Sequence, residues 1–383
     1  MRHILIVSNT SWFVYNFFLS SVTEFLKNGN RVTILAPEDN TSNKLKNFGC
    51  GFAAVEIDRS GMDFRKEVKT LYHFFKVMKK LRPDCVLNFT AKVNIYSTLA
   101  ATSLRIPVVN SVAGLGQIFL EGGFKSMIGK GMLRISQPLA QHTVFQNRQD
   151  LNTYIKHHLV RPEKTSKTNG IGIQLGHFQP VEAPDDGVVR FVVVSRMIFS
   201  KGIAEFVKAA EKVRAHYALK KEAGFQVPEV EFALLGFSDP GNPQAISEEQ
   251  LEEWHNQRLV NYLGSTDNVF DVVKKYDCVV LPSYYREGVP QCLIEAAAMA
   301  KPIITTDNPG CRDTVEHGKT GLLVQPRDVA DLAGAMITLI ELGHKQRLVM
   351  GSKARRMAAK DFCHLRVAQH YLDKIEQVCS SPQ

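Results

Sequence analysis

Across 383 residues no apolar run approaches the roughly 18 consecutive positions that a membrane-spanning helix needs, which argues against an integral helical membrane protein. The opening Met1-Arg2-His3-Ile4-Leu5-Ile6-Val7 is too short and too strand-like for a secretory leader, so the chain is expected in the cytoplasm. Its seven cysteines (Cys50, Cys85, Cys278, Cys292, Cys311, Cys363 and Cys379) are odd in number, scattered, and never spaced C-x-x-C. That pattern indicates neither a metal nor a redox centre, and they read as small buried apolar residues. No Gly-x-Gly-x-x-Gly follows the first apolar segment, where Ser8-Asn9-Thr10-Ser11-Trp12 stands instead, which argues against a dinucleotide-dependent oxidoreductase. There is no Asp-x-Asp pair to suggest a bound divalent cation, no repeat of solenoid length and no low-complexity tract.

What is present is an ordinary globular composition, 44% hydrophobic and 22% charged, in a length that favours two domains. The net charge of +9 is unevenly placed: residues 1–178 carry 23 Lys and Arg against 11 Asp and Glu, leaving 24 against 27 for the remainder. A basic first half attracts nucleic acid, anionic lipid or a diphosphate-bearing substrate, and charge alone does not choose among them.

Ile4-Leu5-Ile6-Val7 is a continuous apolar run followed by small polar residues suited to a turn and a helix cap, as in the first strand and helix of an open α/β sheet. The alternation recurs at Arg31–Ala36, Cys85–Phe89 and Ile106–Asn110, each preceded by a helical stretch, which implies a parallel sheet. Pro184-Asp185-Asp186-Gly187 breaks the pattern as a linker. A second series of strands follows at Val188–Ser195, Val230–Gly236, Cys278–Pro282 and Pro302–Thr306. The expected fold is α/β: two Rossmann-like, doubly wound parallel-sheet domains facing a central cleft, with residues 1–178 and 179–360 forming the two. In such sheets ligands sit beyond the carboxyl ends of the strands, so functional residues should lie just after them.

Two such segments carry charge. Ser195-Arg196-Met197-Ile198-Phe199-Ser200-Lys201-Gly202 sets a planar guanidinium and a mobile ammonium at a strand end and a helix N-terminus, a natural diphosphate clamp. Ser283-Tyr284-Tyr285-Arg286-Glu287-Gly288-Val289-Pro290 leads into a helix that holds Glu295. Glu287 falls in the loop and Glu295 about two helical turns along, so that one carboxylate reaches a sugar ring and the other a ribose diol. Loop amides at Gly288 and Val289 are candidate donors to the same ligand.

These residues resemble glycosyltransferase family 4. Glu287 and Glu295 match its E-x7-E signature, and Arg196 and Lys201 its R-x4-K pair. Leu281-Pro282-Ser283, Glu295-Ala296, Lys301-Pro302-Ile303, Gly318–Val324 and Pro326 are similar to the family in order and spacing across nearly all of the second half. The resemblance implies a GT-B fold and a retaining, metal-independent reaction without a cofactor, in which a UDP-sugar is the donor substrate. It places Glu287 on the donor sugar, Glu295 on the ribose hydroxyls, Arg196 and Lys201 on the diphosphate leaving group, and Gly264, in the Leu263-Gly264 turn, at the base through its backbone. It also implies that residues 361–383 form a helix crossing back to the first domain.

In the first half, Phe89–Tyr96 and Asn110–Phe119 both follow strands and are similar to segments of the bacterial subgroup that adds N-acetylgalactosamine or a related sugar to undecaprenyl-diphosphate-linked saccharides. Asn9, Lys92, Asn94, Ser111 and Gly114 are accordingly the candidate acceptor-binding residues, with Lys92 toward the acceptor's diphosphate or sugar. Ser111, Val112 and Ala113 stand where many relatives carry a histidine, so no catalytic histidine is assigned; His142 and His177 read as structural. Arg65–Arg82 and Phe124–Ile135 are basic and amphipathic, suited either to packing on a sheet or to the headgroup boundary of an anionic bilayer. Trp12, Phe13, Phe17 and Phe18 are expected to pack helix to sheet. Taken together the chain reads as a transferase of N-acetylgalactosamine, or another hexose, from a UDP-sugar to a polyprenyl-diphosphate-linked saccharide in surface-glycan or glycoprotein-glycan assembly. It is expected at the inner face of the cell membrane, with no nucleic-acid partner. The alternatives are a sugar-nucleotide epimerase of similar architecture and a basic nucleic-acid-binding α/β protein.

Overall fold

The computed structural model describes residues 1–57, 64–115 and 124–380. By contacts the chain divides into two compact units, Met1–Gly172 with His364–Gln383, and Ile173–Cys363.

The first unit is built on seven strands: β1 (His3–Val7), β2 (Arg31–Ala36), β3 (Gly51–Ala54), β4 (Cys85–Phe89), β5 (Val108–Val112), β6 (His142–Phe145) and β7 (Thr165–Lys167). They lie in the order β3-β2-β1-β4-β5-β6-β7, every neighbouring pair parallel. The second unit has β8 (Val188–Val194), β9 (Glu229–Leu235), β10 (Asn261–Tyr262), β11 (Cys278–Leu281), β12 (Ile303–Thr306) and β13 (Gly321–Val324), in the order β10-β9-β8-β11-β12-β13, again all parallel. Strands such as β4, β5 and β11 are buried along their whole length because helices cover both faces, which is why they read as largely apolar segments, interrupted only at Asn88, Asn110 and Ser111.

In each sheet the chain reverses its direction of travel beside the first strand, between β1 and β4 in one unit and between β8 and β11 in the other. Such switch points open a crevice at the carboxyl ends of the two strands, and the loops that leave them are where a ligand fits.

The last helix, His364–Ser380, belongs to the first unit. It buries Val367 and Ala368, then Tyr371, Ile375 and Val378 at intervals of three or four, against a cluster that includes Ile4, Val14, Phe18 and Phe25. The Tyr371 ring meets Phe18 edge-on at 5.4 Å, and its hydroxyl shares a 2.7 Å hydrogen bond with Ser111 Oγ at the end of β5. Gly172, at φ +88°, lets the chain pass closely against the backbone of His364, where a Cβ has no room.

His142 hydrogen-bonds Ser166 Oγ, and burial pulls its pKa down to about 4; His177 meets the Phe178 ring edge-on at 4.9 Å, so both have structural partners. Trp12 differs from the expectation for its aromatic segment: Phe18 is fully buried, but Trp12 is 43% exposed and rests edge-on against Phe17. The reason is local, because a π-helical turn at Val14–Phe18 shifts the face that the segment presents to the sheet.

Tyr371→Phe removes one hydroxyl and leaves Ser111 without that partner in a fully buried place. It is expected to lower unfolding stability by about 1–2 kcal/mol, read by urea denaturation. A change below the error of the measurement would mean that the bond is not formed.

Candidate functional site

Two loops leave the switch point of the second unit. After β8 the chain runs through Ser195 and Arg196 into a single tight turn, Phe199–Lys201, and then into the long helix Ile203–Glu222. After β11 it runs through Pro282–Pro290 into the helix Gln291–Ala298. Because β8 and β11 are paired side by side, residues far apart in sequence end together.

Lys201 and Glu287 meet there. Lys201 Nζ donates to Glu287 Oε1 at 2.5 Å, and both side chains are largely buried, 13% and 11% exposed. Ser283 Oγ lies 2.8 Å from the same carboxylate oxygen. Burial opposes the charge on Lys201, but the carboxylate beside it and the hydrogen bond between them more than offset this, holding the ammonium above its ordinary pKa. The lysine therefore stays charged at neutral pH.

Arg196, at the same strand end, turns elsewhere: its guanidinium bonds Asp239 Oδ2 at 2.9 Å and remains 44% exposed. Asp239 follows β9, so three adjacent strand ends contribute charge to the site.

The approach of these loops depends on glycine. Gly202, at φ +76°, lies so close to the Pro282 carbonyl that a Cβ would collide with it; Gly310, at φ +80°, leans in the same way on the Gly288 carbonyl, and Gly236 on that of Ser195. Further hydrogen bonds tie the loops: the amides of Tyr284 and Tyr285 both donate to the Ser200 carbonyl, at 3.0 and 3.1 Å, and Asn308 Nδ2 donates to the Tyr285 carbonyl at 2.6 Å. Gly288 and Val289 are buried in this wall. Gly264, at φ +65°, accepts the Gly236 amide at 2.8 Å at the carboxyl end of β10, beside the exposed Leu263.

Glu295 stands nearer the helix start than the sequence expectation had it. The helix begins at Gln291 with Pro290 as its cap, so Glu295 is just over one turn in rather than two, the preceding residues being loop. The residue keeps some surface exposure, yet desolvation of its carboxyl drives the pKa up to about 8, a hydrogen bond with Gln291 opposing the shift.

In the first unit the switch-point loops are Ser8–Ser11 after β1 and Thr90–Asn94 after β4. Thr90 is held at φ 76°, ψ 149°, a strained conformation for a residue with a Cβ. Asn9 and Gly114 keep part of their surface. Lys92 is ion-paired with Glu67 at 2.5 Å and is 22% exposed. Asn94 and Ser111 lie inside: Asn94 donates to the Ser111 carbonyl at 2.9 Å, and the Ser111 hydroxyl engages Tyr371. Both belong to a buried polar network with Asn88, Thr98, Asn110 and Gln137. Gly116, Gln117, Ile118 and Phe119 fall outside the described residues, as do the side chains of Phe124 and Lys125.

Sequence reading noted Ser283 without giving it a role, and passed over Asp239. Each directly follows or closely trails a strand, which was the available signal, but only the pairing order shows that β9, β8 and β11 bring them to one place.

A family model described as glycosyl transferases group 1 matches residues 189–342, and a second, glycosyl transferase 4-like, matches residues 3–145. The chain is 25% identical over 382 residues to the N,N'-diacetylbacillosaminyl-diphospho-undecaprenol alpha-1,3-N-acetylgalactosaminyltransferase of Campylobacter jejuni, covering 95% of this chain and 96% of that protein. It is 23% identical over 287 residues to the UDP-Gal:alpha-D-GlcNAc-diphosphoundecaprenol alpha-1,3-galactosyltransferase of Escherichia coli, covering 72% and 71% of the two. Among solved structures, Anabaena HepE in complex with UDP superposes with a TM-score of 0.76 at 17% identity, over 98% of this chain and 100% of that one. A glycosyltransferase from Rickettsia africae superposes with a TM-score of 0.80 at 15% identity, over 100% and 99%.

A carboxyl whose pKa is raised by folding stabilises the folded state fully below its unfolded value and loses that contribution as pH rises through its folded value. For Glu295 the window runs from its ordinary 4.5 to about 8. Thermal melts should therefore show Glu295→Gln matching the native protein near pH 4 and melting several degrees above it near pH 9. Equal melting temperatures at both ends would contradict the burial of this carboxyl.

Proposed function

The chain belongs to the group 1, family 4-like glycosyltransferases, and from that premise we propose that it is a retaining, metal-independent enzyme of the GT-B fold that moves a hexose from a UDP-sugar to a polyprenyl-diphosphate-linked saccharide. The observation that carries the proposal is the 2.5 Å ion pair between Lys201 and Glu287, which joins the two charged motifs across 86 positions of sequence. Membership of the family decides against the epimerase and nucleic-acid-binding alternatives.

Breaking the bond between a sugar and a diphosphate places negative charge on the departing group, so the main catalytic task is to receive that charge. Lys201, Arg196 and the N-terminus of the 20-residue helix Ile203–Glu222 supply positive charge and dipole for it. Glu287 takes the sugar hydroxyls and Glu295 the ribose diol, with the Gly288 and Val289 segment shaping the wall and Gly264 meeting the base. A carboxyl with a pKa near 8 is neutral at pH 7, so Glu295 both donates and accepts toward that diol. The acceptor hydroxyl attacks the anomeric carbon from the face that the diphosphate leaves, its proton passing to the leaving phosphate oxygen. No side-chain nucleophile is needed.

Donor binding is assigned to the unit Ile173–Cys363 and acceptor binding to the unit containing Met1–Gly172. There the partly exposed Asn9, Lys92 and Gly114 contact the acceptor, while Asn94 and Ser111 hold the wall behind them. The Campylobacter and Escherichia relatives are both named as alpha-1,3-transferases of a galacto-configured sugar to a diphosphoundecaprenol saccharide. That likeness favours N-acetylgalactosamine as donor sugar and an alpha-1,3 linkage.

Among the described residues no helix is long and apolar enough to cross a membrane. A lipid-linked acceptor calls for surface contact instead, at the inner face of the cell membrane. Helix Phe64–Leu81 turns Phe74 and Met78 into the core and shows lysines outward. Helix Phe124–Ser136 and the turn after it leave Met127, Ile135 and Leu139 exposed, at 63%, 65% and 37%, beside Lys130 and Arg134. An apolar stripe flanked by cations suits an anionic bilayer, so this second helix is assigned to it. Sedimentation with vesicles containing phosphatidylglycerol should fall severalfold for Ile135→Glu; unchanged sedimentation would contradict the assignment.

Glu287→Ala and Arg196→Ala are each expected to lower transfer from UDP-N-acetylgalactosamine to a polyprenyl-diphosphate saccharide at least a hundredfold, with folding retained by circular dichroism. Wild-type rates in either variant would overturn the site. A native enzyme that accepts another UDP-sugar in its place would move the donor assignment alone.

A further inference from the structure

We propose that Ser283 is a positioning residue that fixes the carboxylate of Glu287 for sugar transfer. The inference rests on the donor-site reading above and extends it to a residue that neither motif contains.

Ser283 is fully buried at the carboxyl end of β11, and every polar atom of its side chain and carbonyl is engaged in a junction of three loops. Its Oγ is 2.8 Å from Glu287 Oε1 and 3.2 Å from the Ser200 carbonyl, and it accepts the Tyr285 amide at 3.2 Å. A hydroxyl has a single proton, and the shorter, charge-assisted bond takes it, so Ser283 donates to Glu287. Lys201 donates to that same oxygen. Two donors on one carboxylate oxygen set the plane of the carboxyl as well as its position, which a single flexible lysine does not. The Ser283 carbonyl accepts from Thr306 Oγ1 at the end of β12, so the residue that aims Glu287 is itself anchored to the next strand.

The chemistry needs this. A carboxylate that grips sugar hydroxyls contributes to rate only when its oxygens are already oriented as the anomeric carbon leaves the phosphate, and misplacement of such a group lowers turnover more than binding. Ser283 touches neither donor nor acceptor; it acts through Glu287.

A double-mutant cycle on the full-length enzyme tests this, with UDP-sugar turnover and donor KM as readouts and melting temperature as a fold control. Ser283→Ala is expected to lower kcat about 10- to 100-fold, the worth of one hydrogen bond to a charged group. Donor KM should stay within about threefold. In a Glu287→Gln background the same change should cost less than about twofold, because the group it positions is already altered. Ser283→Thr, which keeps the hydroxyl, should exceed Ser283→Val, which keeps the shape of threonine without it. An equal fractional loss from Ser283→Ala in both backgrounds would overturn the proposal while leaving the donor site intact. A native enzyme that turns over no UDP-sugar would overturn the donor-site reading and this proposal with it.

Discussion

The largely buried ion pair between Lys201 and Glu287 is the constraint around which the second unit is arranged. Withdrawing two charges from water is costly, and their mutual attraction repays it only when the geometry is good and further hydrogen bonds complete the set. Ser283 supplies one such bond to Glu287. Loss of either charged partner would leave the other buried and uncompensated, so neither position tolerates a neutral residue without consequence for the site. The same pair gives a ligand phosphate something to compete for, since a lysine already held in place loses little freedom when it binds a second anion.

Backbone approach makes that pair possible. Parallel pairing of β8 with β11 sets the two loops side by side, and Gly202, Gly236 and Gly310 remove the side chains that would hold them apart. These glycines stand beside Pro282, Ser195 and Gly288, residues adjoining the charged groups. Stability and function are coupled here: a substitution at Gly310 strains a φ of +80° and pushes the Gly288 carbonyl in one step.

Much of this was legible in the residues. Short apolar-rich segments revealed β1, β2, β4, β8, β9, β11 and β12 to within a residue or two, because strands covered on both faces need them. The segment expected at Ile106–Asn110 shifted, since Pro107 has no amide for the sheet ladder and β5 begins two residues later, at Val108. The strands passed over were short or interrupted: β3 is Gly-Phe-Ala-Ala at an edge, β6 is His-Thr-Val-Phe, β7 is the polar Thr-Ser-Lys, β10 has two residues, and β13 is the four-residue Gly-Leu-Leu-Val, noticed only for its likeness to the family. The proximity of the loops holding Lys201 and Glu287 followed from placing both at strand ends. The pairing of Arg196 with Asp239 and the anchoring role of Ser283 did not, because they depend on which strands are neighbours and which side chain turns inward. In the first unit, Asn94 and Ser111 were read as acceptor-binding residues from their place in segments that follow strands; the polar network that buries them is built from amide and hydroxyl groups whose partners lie up to 260 positions away.

The central claim is that Lys201 serves the diphosphate of a nucleotide donor. Calorimetric affinities for UDP and for uridine, in the native protein and in Lys201→Met, isolate that term because the two ligands differ only in the diphosphate. The account predicts a marked preference for UDP in the native protein that shrinks by about tenfold or more in the variant, with uridine affinity little changed. An undiminished preference for UDP in Lys201→Met would contradict it.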